Sequence, residues 1–118
     1  MLRKFTQTIH VPGTLTAAVD YVAKVPTPCT IQHLSMVQSN DADARVKIGL
    51  STDDDSFLAY TNVGDSDVPV ELSVATDWRY DALPHLAKGD IFQIHIDHDG
   101  AAGTAAHDLT IVITFTEG

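Results

Sequence analysis

Along most of the chain, apolar and polar residues alternate with a period of two, the mark of strands that bury one face. The last third is the clearest case. Ile91, Phe92, Ile94 and Ile96 form one run, and Leu109, Ile111, Ile113 and Phe115 alternate with Thr110, Val112, Thr114 and Thr116 in the next. The segment from Leu86 to Gly118 therefore predicts two strands joined as a long hairpin through a Gly/Ala-rich turn. At the other end Phe5, Gln7, Ile9 and Val11 alternate with Lys4, Thr6, Thr8 and His10, predicting a first strand that Pro12-Gly13 ends. In Leu15 to Val25 the alanines would suit a short helix, but Val19, Tyr21, Val22 and Val25 favour extended chain, stopped by Pro26 and Pro28. Thr30 to Gln38 reads as a third strand, with Ser39 to Asp43 as its turn. Ala44 to Ser51 reads as a fourth, with Val46, Ile48 and Leu50 inward and Arg45, Lys47 and Gly49 outward.

The middle is less regular. Thr52 to Ser56 reads as an acidic loop, Phe57 to Thr61 as a short strand and Asn62 to Asp67 as a turn. Val68, Val70, Leu72 and Val74 mark another strand, which Pro69 assigns to an edge or a strand start. Ala75 to Lys88, with Trp78, Tyr80, Leu83 and Leu86 around Pro84, predicts a long connection over the core with room for one helical turn. About eight strands and almost no helix predict an all-β protein: an antiparallel sandwich of jelly-roll or related Greek-key topology. An immunoglobulin-like sandwich fits less well, because the cysteine pair is missing and Trp78 falls in a connection.

Composition adds limits. With 118 residues and 44% apolar content, residues 1–118 are expected to form one domain around one core. No apolar run reaches the length of a membrane span and no signal-peptide pattern opens the chain, so it is expected to act as it stands, away from membranes. The single cysteine, Cys29, cannot form an internal disulfide and reads as a small buried apolar residue. Sixteen acidic against seven basic residues give a formal charge of -9. Between Asp53 and Asp108 only Arg79 and Lys88 oppose the acids, so nucleic acid is a poor partner. Arg3 and Lys4 instead place positive charge at the N-terminus.

Candidate chemistry is sparse. His95, Asp97, His98, Asp99 and His107 surround the predicted hairpin turn, and His95 and Asp97 share one strand face. That spacing offers a divalent metal only two ligands, and a hydrated tip is the reading preferred. The aspartates Asp53, Asp54 and Asp55, and the pairs Asp41/Asp43 and Asp65/Asp67, lack the spaced acids, glycine and closing glutamate of a helical calcium loop. No nucleophile elbow or phosphate-binding glycine loop is present, so neither catalysis nor a cofactor is expected. Tyr60, Trp78 and Tyr80, with Arg79, could make an aromatic platform for sugar rings, although a lone tryptophan more often fills the core. Without a catalytic centre, a sheet protein of this kind is expected to work through its edges and faces.

The pieces VPGTLTAAVDYVAKVPTPCTIQHLSMVQ, VKIGLSTDDDSFL and LAKGDIFQIHID followed by GTAAHDLTIVITFTEG resemble small β-sandwich virion proteins of tailed bacteriophages. The resemblance spans nearly the whole chain, with Leu86, Gly89 and Asp90 leading into a closing strand pair. It implies a head decoration, or cement, protein made in the host cytoplasm. Such a protein sits on the outer capsid surface, often as a homotrimer, and bridges subunits of the major capsid protein. By that resemblance Met1, Leu2, Arg3, Lys4 and Phe5 would form an N-terminal docking arm. The alternative is a tail, baseplate or fibre module that binds host saccharide or another virion protein, through Tyr60, Trp78 and Tyr80.

Overall fold

A computed structural model describes residues 3–97 and 105–118. They form nine strands: β1 (Lys4–Thr14), β2 (Val19–Lys24), β3 (Cys29–Val37), β4 (Arg45–Leu50), β5 (Asp53–Asn62), β6 (Val70–Leu72), β7 (His85–Leu86), β8 (Ile91–Asp97) and β9 (His107–Glu117). Two short 3-10 turns, Ala75–Asp77 and Arg79–Asp81, interrupt the connection between β6 and β7, and no α-helix occurs among the described residues.

The strands make two facing antiparallel sheets. One has the order β1-β9-β3-β6, with the two-residue β7 also on β3, and the other the order β2-β8-β4-β5. Leaving β7 aside, the pairs β1 with β9, β2 with β8, β3 with β6 and β4 with β5 nest inside one another. That is the rolled-up hairpin of a jelly roll. The predicted sandwich and its jelly-roll topology are thus both present.

The core explains the pattern. Ile31, Leu34 and Met36 of β3, Val46 and Ile48 of β4, Ile94 and Ile96 of β8 and Leu109, Ile111 and Ile113 of β9 are all essentially inaccessible. They are the inward halves of the alternating strands, and burying them is the main favourable term in folding. Phe92 and Phe115 meet edge to face across the two sheets, with ring centroids 6.2 Å apart.

Several expectations change. The last two long strands are not a hairpin: β8 pairs with β2 and β4, whereas β9 pairs with β1 and β3. Their apolar faces look at each other across the core, and residues 98–104 of the expected Gly/Ala-rich turn lie outside the described residues. Pro12-Gly13 does not end β1 but forms a register shift inside it, with Gly13 at φ 70, and pairing resumes at Thr14 with His107. The acidic run Asp53–Asp55 is not a loop but the start of β5, after a tight turn at Ser51-Thr52. Gly49 is buried and Leu50 only half-buried, the reverse of the predicted facing. The register between β4 and β5 shifts twice here, so strict alternation fails. The strand expected across Val68–Val74 shrinks to β6, leaving Val68 and Val74 exposed.

One end of the sandwich is tied by side chains. Gln38 Nε2 donates to Asp65 Oδ1 at 2.5 Å and to the Ala42 carbonyl at 3.0 Å, joining the β3–β4 and β5–β6 connections. Asn40 Nδ2 donates to the Ala105 carbonyl at 2.9 Å, and its Oδ1 accepts from His107 N–H at 3.0 Å. The starts of β1 and β3 and the end of β9 lie at the opposite end, beside β7.

Candidate functional site

The outer face of the β2-β8-β4-β5 sheet carries the charged side chains. His95 on β8 shares a hydrogen bond with Asp20 on β2, and that bond, more than any other contact, holds the Asp20 carboxyl below the usual range. Arg45 Nη2 lies 2.7 Å from Asp97 Oδ2, and Lys47 Nζ lies 2.9 Å from Asp54 Oδ2. The Arg45 guanidinium and the Lys47 ammonium also stand 4.4 and 4.9 Å from the Tyr60 ring centre, with His95 edge-on to the same ring. Tyr60 is therefore clamped by two cations over its ring. None of these partnerships was visible as a motif, because they join residues far apart in sequence.

The candidate ligand residues fall into separate local contacts. His95 and Asp97 share a face as expected, yet each is engaged by its own partner. His107 starts a strand of the other sheet, where its ring shares a hydrogen bond with Thr14 Oγ1 at 3.2 Å. His98 and Asp99 lie outside the described residues. Carboxylate oxygens of Asp53, Asp54 and Asp55 fall within 4.8 Å of one another. Protein cations already serve that cluster: Lys47 at Asp54, and Arg79 Nη1 at 3.1 Å from Asp55 Oδ1. The Asp55 carboxyl is held below its ordinary range first by a side-chain hydrogen bond with Asp53 and then by the Arg79 and Lys47 charges. At the far end, Asp41, Asp43 and Asp65 line a groove together with Arg45 and Asn62.

The three aromatics differ in placement. Trp78 is 3% exposed and belongs to the core, and its Nε1 has no hydrogen-bond partner among the described residues. Tyr60 and Trp78 line one shallow groove with Arg79, Asp55 and Asp77, and of the two Tyr60 is the exposed one. Tyr80 is 79% exposed, at φ 64 in the second 3-10 turn.

At the N-terminus, Met1 and Leu2 lie outside the described residues. Arg3 is solvent-exposed, and its carbonyl accepts a hydrogen bond from Glu117 N–H at 2.8 Å. Lys4 and Phe5 belong to β1, opposite Thr116 and Phe115. Phe5 stacks on Phe115 with centroids 5.0 Å apart but stays 41% exposed. It borders an apolar cleft between the β1 and β2 edges, lined also by Val25, Pro26, Cys29 and Phe92. Cys29 is buried at its floor, and desolvation pushes its thiol up.

The other outer face is chemically different. Reading across β1, β9 and β3, the register sets Lys4, Thr116 and Thr30 in one row, where Thr116 is buried, and Thr6, Thr114 and His33 in the next. Thr8, Val112 and Ser35 form the third row, and His10, Thr110 and Val37 the fourth. Lys4 at the β1 edge is the formally charged residue in these rows, and Glu71 of β6, next to Ser35 at the opposite edge, is the acid that borders them. In a chain of formal charge -9, this is a hydroxyl-rich sheet face almost free of acids. The alternating threonines of β1 and β9 carried the signal, which becomes a surface only when the two strands prove to be neighbours.

Comparison of the sequence finds no matching family model and no matching curated protein. Comparison of the fold finds a chain described as belonging to the cyanophage Pam1 capsid asymmetric unit, with a TM-score of 0.59 and 12% sequence identity. The match covers 99% of this chain and 85% of that one.

Proposed function

We propose that this chain is a non-enzymatic structural protein of a bacteriophage virion, a decoration protein that binds the outer head surface and stabilises it by bridging capsid subunits. The observation that carries this reading is the end-to-end fold correspondence with a chain of a cyanophage capsid asymmetric unit, covering 99% of the present chain. The resemblance of its sequence to phage virion sandwiches points the same way. At 12% identity the correspondence concerns fold, and the role follows from what the surface offers.

The surface offers docking. The charged outer face is internally paired, whereas the hydroxyl-rich face and the adjoining Arg3 and Lys4 carry little acid to repel a partner. Docking residues are therefore assigned to Met1, Leu2, Arg3, Lys4 and Phe5, with the major capsid protein as partner and attachment as an oligomer, three-fold by the resemblance. Each contact is modest, and simultaneous engagement multiplies them. The double variant Arg3→Glu/Lys4→Glu tests the assignment. It should retain the fold, because both side chains reach solvent, and lose roughly tenfold or more in affinity for purified capsids, since several exposed charge contacts are reversed. Unchanged occupancy at the same salt would remove the N-terminal residues from the interface.

A further inference from the structure

A sheet that ends in an open strand invites pairing, and proteins usually blunt such edges with short strands, charge, proline or bulges. Among the described residues the sandwich has four open sides, three of them blunted. β6 has three residues and shares its side of β3 with the two-residue β7. β5 begins with three aspartates and is broken by two register shifts. β2 has six residues, with Asp20 and Lys24 along it. The fourth is β1. It runs in unbroken register from Lys4 to Val11 and carries no acid, and its Pro12 and Gly13 lie beyond that stretch.

The sequence along this edge is self-complementary. Lys4-Phe5-Thr6-Gln7-Thr8-Ile9-His10 reads basic, apolar, threonine, glutamine, threonine, apolar, imidazole in one direction and nearly the same in the other. We propose that β1 is a homotypic interface, pairing antiparallel with β1 of a second copy about a two-fold axis at Gln7.

The backbone permits that register. Because the Arg3 carbonyl accepts from Glu117 N–H, the odd-numbered residues of β1 point their amide groups at β9. The even-numbered residues, Lys4, Thr6, Thr8 and His10, then direct theirs to the open edge. An axis at Gln7 sets Thr6 against Thr8 and Lys4 against His10 of the partner, all as hydrogen-bonded pairs, giving about eight main-chain hydrogen bonds. Phe5 then faces Ile9 of the partner in a non-hydrogen-bonded pair, where side chains lie closest. This covers the ring left 41% exposed in the single chain. The contact is isologous and closed, so it pairs copies and does not grow fibres. A chain of formal charge -9 meets its copy there without opposing carboxylates. This inference does not rest on the virion reading; because the pairing covers Lys4 and Phe5, a chain paired in this way cannot present those two residues to a capsid at the same time.

The test is the mass of the full chain in solution, measured by sedimentation equilibrium over a concentration series. In Thr8→Pro the amide removed is one directed to the edge, so the β9 ladder is kept, and the mass should fall by a factor of two. Gln7→Cys places two thiols across the axis and should give a reducible dimer faster than Tyr80→Cys, a control at an exposed site elsewhere. Halved mass, or selective cross-linking through Gln7→Cys where Thr8→Pro fails to fold, supports the proposal. A mass unchanged in folded Thr8→Pro, or cross-linking through Gln7→Cys no faster than the control, overturns it. Neither readout involves capsids, so the virion proposal can fail separately.

Discussion

Gly49 shows how strongly single positions are determined in this sandwich, and why the alternating pattern misplaces it. Counted along β4, it falls on the outward side with Arg45 and Lys47. In the structure the start of β5 folds over it: a Cβ there would lie 2.3 Å from the Asp53 carbonyl oxygen, 2.6 Å from the Asp54 carbonyl carbon and 2.8 Å from Ser56 N. All three are main-chain atoms, which cannot swing aside as a side chain would. Gly49→Ala should therefore lower the urea midpoint with little change in m-value, destabilising by about 1–3 kcal/mol as overpacking does. An unaltered midpoint would mean that the β5 backbone yields freely. Other residues were legible in advance: Cys29 is the small buried apolar group its setting suggested, and Trp78 fills the core, as a lone tryptophan commonly does.

Elements were legible where they alternate cleanly and illegible where long-range partners decide. β1, β3, β4, β8 and β9 lie close to their expected places. The error over β8 and β9 is instructive, since hairpin partners and facing strands of two sheets have the same alternation, and only the connecting length distinguishes them. The connection between β6 and β7 is, as expected, a long segment over the core with short helical turns, but the carboxylate that ties its first turn was not legible. Asp77 Oδ2 accepts N–H bonds from Ser73 at 2.9 Å and Val74 at 3.2 Å, and these hold its carboxyl below the usual range. A carboxyl that binds its proton less tightly in the folded chain contributes stability above the ordinary carboxylate pKa. That contribution disappears as pH falls through the ordinary value towards the lower folded one. Asp77→Asn should thus be less stable than the parent at neutral pH, and the difference should shrink below about pH 4. Parallel stability curves from pH 7 down to about pH 2 would show that the charge on Asp77 contributes nothing.

At the scale of the whole molecule, the two outer faces divide the labour. One carries ion pairs satisfied within the chain. The other is a hydroxyl-rich sheet, bordered by a long open strand and two basic residues. The candidate site was only half legible, because the threonines and the N-terminal charges stand in the sequence while their union into one surface depends on β1 lying beside β9. This arrangement, on a jelly roll matched end to end by a phage capsid chain, leads to the proposed place on the head exterior. Cryo-electron microscopy of the virion that incorporates this chain tests that claim most directly. The account predicts sandwich-shaped density on the outer head, bridging capsid subunits, into which the present fold can be placed with β1 and the N-terminus at a contact. Particles whose heads lack that density, or which carry the protein only in the tail, would contradict it.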